Sequence, residues 1–399
     1  MTGLPDLEHN RLGLFWRPII DMVDSDVAPM RLRMIAPVSD WLADPTPGQW
    51  SWFAMIGVPG LRHQVLRHAG LDQYDCREPT ELPQPFRTPR WRVLTDAIDR
   101  FDTLDSQHRA LLVFQLAQLS YIQFVFKLAG AVTPNGDPAH DRYAYEVARL
   151  HARYPGHHGQ AVPVFERLAT SSKDRLLALA ACAQGISVAI RRGRSVELAT
   201  SFEAHGDGII RDGLDDEWHT WLVRSRFHRA LALLRLTQRR GDDMREDLRL
   251  AAEFGDRLFT ENVGGTDLTV ATENKRIVVE SQIKAAGRVT DSESAARVRA
   301  RCQELDRMDP YCVEARLVVA EGYATVGDYA EAAWRYERAG ELGTGVGAIG
   351  WFRAAQCYEV IGDRSGGLNA MGRCLELDWS AVEPREYLEK ARHPVGQTP

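Results

Sequence analysis

Residues 314–342 read EARLVVAEGYATVGDYAEAAWRYERAGEL, and residues 351–378 read WFRAAQCYEVIGDRSGGLNAMGRCLELD. The two stretches align at a spacing of 35, which pairs Tyr323 with Tyr358, Gly327 with Gly362, Asp328 with Asp363 and Ala339 with Cys374. In each, apolar residues recur three and four apart, stop at Gly-Asp and resume, as two amphipathic helices joined by a short turn require. A glycine after a helix takes up the left-handed conformation that ends it, and the aspartate next to it caps the helix that follows.

The first stretch carries the small residues Ala320, Ala332 and Ala339, and the second Ala355, Gly367 and Cys374. Among them stand the large residues Tyr323, Tyr336, Trp351, Tyr358 and Met371. In length and pattern the unit resembles the tetratricopeptide repeat (TPR), a two-helix module of about 34 residues. The resemblance implies an all-α helical-hairpin solenoid with a concave groove lined by the first helix of each unit. Its groove positions are Glu314, Leu317, Glu321 and Thr325 in one unit, and Ile349, Phe352, Gln356 and Glu359 in the next. The lysine, arginine and asparagine of the family's carboxylate clamp are missing from these positions. An acidic and apolar groove implies a peptide or partner protein carrying apolar and basic groups. Two departures stand out: Thr344 and Trp379 replace the family's closing proline, and Gly366-Gly367 weakens the last helix. Met308-Asp309-Pro310 supplies the missing ending upstream, which points to a more divergent unit at about 272–310.

Helical texture extends well before this tandem. From residue 105 the periodicity predicts helices at about 139–153, 160–170, 174–192, 195–204, 216–240, 243–260, 267–288 and 292–307, with no β alternation. Breaks at Arg192-Gly193-Arg194 and Gly241-Asp242 repeat the glycine chemistry of the later turns. Thr133-Pro134-Asn135-Gly136-Asp137-Pro138 is a strong helix stop. Residues 110–131, ALLVFQLAQLSYIQFVFKLAGA, are as long as a bilayer span, but Gln115, Gln118, Gln123 and Lys127 trace one polar stripe, so a buried core helix is expected. The first 100 residues hold Trp16, Trp41, Trp50, Trp52 and Trp91 and the proline-rich run 81–90. They predict an irregular cap of short helices, its tryptophans forming core rather than a docking surface. The expected division is a Trp/Pro-rich cap at 1–104, a hairpin region at 105–265, TPR-like repeats at 266–392 and a flexible tail at 393–399.

Composition narrows the function. The chain is 44% hydrophobic and 26% charged, with a net charge of −6 and a pI near 6.1, which argues against nucleic acid as a partner. The basic runs Arg191-Arg192-Gly193-Arg194 and Arg239-Arg240 fall at expected helix ends, where cations favour the helix dipole. Six scattered cysteines, with no Cys-x-x-Cys pair, and an N-terminal stretch without a signal pattern predict a cytoplasmic protein with no membrane role. Five lysines against 44 arginines indicate a GC-rich coding genome of the actinobacterial kind.

Candidate chemistry is sparse. Gly345-Val346-Gly347-Ala348-Ile349-Gly350 fits Gly-x-Gly-x-x-Gly, but a helix rather than a strand precedes it, so a flexible inter-hairpin loop is expected instead of a dinucleotide site. His140, His151, His157 and His158 form the densest histidine group, without the carboxylate or cysteine that would complete a metal site, and read as a surface loop. Cys302, Cys312, Cys357 and Cys374 read as small apolar residues inside helices. With no catalytic, cofactor or metal motif, the expected function is a non-enzymatic adaptor or scaffold, as in an accessory subunit of a bacterial biosynthetic or peptide-modifying complex. The alternative is an all-α enzyme or enzyme subunit with a pocket in residues 1–260, the repeats capturing substrate.

Overall fold

The computed structural model describes residues 78–81, 89–118, 121–154, 156–260, 266–286, 291–308, 313–341, 347–378 and 381–392. Among them the chain is all-helical, with sixteen α-helices and no strand. The tryptophans of the first 100 residues and the tail at 393–399 lie outside the described residues or side chains. The chain divides into two compact units, one ending at Val278 and the other running on from Val279.

The first unit contains α1 (Pro89–Asp99), α2 (Ser106–Gln118), α3 (Ile122–Ala129), α4 (Pro138–Arg153), α5 (His158–Ser171), α6 (Arg175–Val188), α7 (Val196–Arg211), α8 (Trp218–Thr237) and α9 (Gly241–Thr260). A further helix, α10 (Thr266–Ala285), carries the boundary between the units. The eight helices expected between residues 139 and 307 are present among the described residues, and α7 runs on past the expected end at residue 204.

The apolar run 110–131 is not one helix, as expected, but two. The Tyr121 amide bonds the Leu116 carbonyl at 2.9 Å, and Tyr121 leaves the helical region before α3 begins. Its role is core: Leu112, Val113, Leu116 and Val125 are fully buried. A different helix, Arg175–Gly193, is long and apolar enough to cross a membrane, and most of it is buried inside the unit.

Caps fix the starts of these helices. Asp137, Asp174 and Ser195 accept from backbone amides three residues on. Asp141, almost fully buried, is satisfied by the amides of Asn135 and Gly136 at 3.0 Å each, which folds the Thr133–Pro138 break back onto α4. Glycines on α6 and α7 serve as sockets for aromatic rings: a Cβ on Gly185 would meet Phe202 at 2.5 Å, and one on Gly206 would meet Phe227 at 2.4 Å.

The second unit contains α11 (Ser292–Met308), α12 (Val313–Thr325), α13 (Tyr329–Glu341), α14 (Gly347–Ile361), α15 (Arg364–Leu377) and α16 (Val382–Arg392). From α11 onward each helix packs chiefly on its neighbours in sequence. The turns at 327 and 362 share one hydrogen-bond pattern. Gly327 and Gly362 are left-handed, at φ 82° and 78°. The amides of Asp328 and Asp363 return to the carbonyls of Tyr323 and Tyr358 at 3.0 and 2.9 Å. Ala320, Ala332, Ala339 and Ala355 are fully buried, and Gly367 and Cys374 nearly so.

The expected loop at Gly345–Gly350 is corrected in its second half. Gly347 and Gly350 belong to α14 and press on α13, where a Cβ on Gly350 would stand 2.7 Å from the Tyr336 carbonyl oxygen and 2.8 Å from the Gly340 amide. Their function is close helix crossing, not flexibility. Gly366 and Gly367 likewise do not break α15. They make room for the rings of Tyr358 and Tyr387.

Two other breaks also differ from expectation. At 194 and 239 the left-handed residue is an arginine, with φ 50° at Arg194 and 61° at Arg239, while Gly241 starts α9. Arg239 sits in the same closing pattern as Gly327, since the Arg240 amide bonds the Arg235 carbonyl at 2.9 Å and the Arg239 amide bonds Leu236 at 3.1 Å.

Candidate functional site

The positions expected to line a groove lie on α12 and α14. Glu314 is in the first turn of α12, and its side chain lies outside the described residues. Leu317 and Phe352 are half-buried against the core of the second unit, while Glu321, Ile349 and Glu359 are exposed and Thr325 and Gln356 intermediate. Along α14, Ile349, Phe352, Gln356 and Val360 form a stripe at helical spacing, with Ile349 51% and Val360 62% exposed.

Tyr336 on α13 ties the two helices to one neighbourhood. Burial pushes its hydroxyl far up, Glu321 adds to that, and Arg353 opposes it. Arg353 was not foreseen. It is exposed beside Phe352 and donates to Gln356 Oε1 at 2.8 Å, so a cation stands among positions expected to be acidic and apolar. Glu359 accepts from the Tyr387 hydroxyl on α16 and, after burial, helps to push that hydroxyl up. Of Glu321 and Glu359, Glu321 is therefore the carboxylate more available to a ligand.

Of the histidine group, the structure brings His151 and His157 into contact and places His140 elsewhere. His140 bonds the Thr133 carbonyl at 3.0 Å and contacts the Ser106 hydroxyl at 3.4 Å. His151 is buried in the last turn of α4 rather than in the expected surface loop, because it stacks on Phe126 with centroids 4.3 Å apart. His157 stacks on the same ring at 4.7 Å, and the two imidazoles meet edge to edge, Nδ1 to Nδ1, at 3.3 Å. One proton fits between those nitrogens, and burial followed by the His157 neighbour holds His151 below the usual histidine range. Among the described residues no group of three or more His, Cys, Asp or Glu is placed to hold a metal ion.

Two ionic clusters in the first unit were not legible in the sequence. On α8 and α9, His228 Nδ1 contacts Asp247 Oδ1 at 3.0 Å, and the other oxygen of Asp247 faces Arg235 Nε at 3.5 Å. Arg235 also holds Glu203 of α7. An aspartate on Nδ1 fixes the tautomer and leaves Nε2 as the basic nitrogen, the geometry that acid–base chemistry uses. On α4, Glu146 and Arg149 form a buried ion pair at 3.3 Å. No spacing rule links residues 19 apart on two helices, so only the Glu146–Arg149 pair, at i and i+3, left a trace: charge on an apolar face.

The thiols Cys182, Cys302, Cys357 and Cys374 are all buried. Burial pushes Cys182 and Cys302 up to about 12, the opposite of what a reactive thiol needs. No protein-family model matches the chain, and a search of curated proteins finds no match.

Proposed function

We propose that the chain is a non-enzymatic adaptor of the tetratricopeptide type, a helical-hairpin solenoid that holds a peptide or partner-protein segment on the exposed faces of α12 and α14. The observation that carries this reading is the α14 stripe in which exposed Ile349 and Val360 flank half-buried Phe352 and Gln356, together with the exposed carboxylate of Glu321 on α12. An extended or helical segment offering apolar side chains to the stripe and a basic group to Glu321 matches it in shape and charge. The 35-residue correspondence of turns, caps and small residues supports the repeat reading. The proposed setting is a cytoplasmic accessory subunit or scaffold of a bacterial biosynthetic or peptide-modifying complex. Nucleic acid, membrane and cofactor have no part in it.

The test is selection of peptides from a randomised display library on the full-length protein, followed by affinity measurements with purified variants. Enriched sequences should combine apolar and basic residues. Phe352→Ala and Glu321→Lys should each weaken them by about tenfold, and Glu321→Lys, at an exposed position, should do so with its circular dichroism melt unchanged. Equal binding by both variants and the wild type would show that the groove is not the site.

A further inference from the structure

The helix α6 ends in a π turn, Ala189–Gly193, and Arg194 follows in the left-handed region at φ 50°. π turns and left-handed non-glycine residues are uncommon and concentrate at functional sites. This turn carries Arg191 and Arg192, and Arg192 Nη2 reaches the carbonyl of Arg153, at the end of α4, at 3.5 Å.

One turn back along α4 stands Arg149, its side chain only 6% exposed. Its Nη1 donates to both oxygens of Glu146, at 3.3 and 3.4 Å, and its guanidinium lies 5.6 Å from the centre of the Tyr145 ring. Its Nε is buried and has no hydrogen-bond partner. Nε is one arm of the fork with which arginine grips a carboxylate or phosphate, and a buried guanidinium N–H without an acceptor is costly. The charges of Arg153 and of Arg226, on α8, converge on the same Glu146.

We propose that this arginine corner binds a small oxyanion, the phosphate or carboxylate group of a low-molecular-mass ligand, with Arg149 as buried anchor and Arg153, Arg192 and Arg226 as outer contacts. The burial of Arg149 selects a compact anion over a polymer backbone, whose phosphates stay at the surface. Burial pushes the Glu146 carboxyl up, against the pull of Arg149, Arg153 and Arg226. The site belongs to the first unit and does not depend on the peptide groove.

The test is calorimetric titration of the full-length protein with pyrophosphate and, separately, citrate, at neutral pH and constant ionic strength. Saturable binding by one of them is expected, and the preferred probe identifies phosphate or carboxylate as the recognised group. Arg149→Lys, which keeps the charge and loses the fork, and Arg226→Gln should each weaken binding by about tenfold. Arg192→Gln, at an exposed position, should weaken it by a smaller factor without altering the melt. Glu146→Gln, which removes the competing carboxylate yet keeps an acceptor for Arg149, should tighten it. Heats no larger than those of matched sodium chloride for both probes overturn the proposal. So do unchanged affinities in Arg192→Gln and Glu146→Gln, or tighter binding of a single-stranded oligonucleotide than of either small anion.

Discussion

The helices from Pro138 to Thr260 and those from Val313 to Leu377 solve the same packing problem with different materials. Both stretches seat large aromatics on glycine, Phe202 on Gly185 in the earlier and Trp351 on Gly340 in the later, but the earlier one adds buried or part-buried ionic groups, Glu146 with Arg149 and His228 with Asp247 and Arg235. In the later one the crossings are alanine or glycine at fixed intervals, and the turns repeat hydrogen bond for hydrogen bond. A crossing that needs only a small residue can recur with the period of the helices. A buried charge needs one particular partner, so it leaves no period behind.

The sharpest way to break this contrast is to remove one member of a buried pair. Glu146→Ala strands Arg149 without its counter-charge, and a loss of about 3–5 kcal/mol is expected in urea denaturation. A loss below 1 kcal/mol would mean that the first unit is not held by its ionic groups as described. Next in size is Gly350→Ala, whose added methyl meets backbone that no rotamer change can move, with an expected cost of about 1–3 kcal/mol. If its melting temperature matches the wild type, the α13–α14 crossing is looser than the geometry shows.

The turns compare the two stretches directly. Gly327→Ala forces a side chain into the left-handed region and should cost about 1 kcal/mol, while Arg239→Gly, in the same hydrogen-bond pattern, should gain up to about 1 kcal/mol. The same sign for both would show that φ is not what distinguishes them. The smallest perturbation is chemical labelling. Cys182 and Cys302 report on the two units, and both thiols are held up to about 12 by burial. Native protein should therefore resist iodoacetamide near neutral pH and react once unfolded. The sign of the linkage follows: between the ordinary thiol value and about 12 the unfolded chain loses these protons first, so stability falls as pH rises through that window. Equal labelling rates in folded and urea-unfolded protein would contradict the burial of both sites.

Most of the helical architecture could be read in advance because amphipathic periods and caps are local. Asp137, Asp174, Ser195 and Asp363 each act on an amide three residues away, within reach of sequence inspection. The spacing of Ile349, Phe352 and Gln356 on one side of one helix was legible for the same reason. What escaped was decided between elements. Arg353 lies one position beyond the repeat template, His151 is drawn inward by a phenylalanine on another helix, and the glycines at 347 and 350 serve a neighbour rather than a loop.

The Gly340, Gly347 and Gly350 seam has a mechanical consequence. Where backbone meets backbone there are no rotamers to take up a displacement, so α13 and α14 must tilt together. Within the second unit theirs is also the most extensive helix pairing. The rigid module is therefore the second helix of one sequence repeat joined to the first helix of the next.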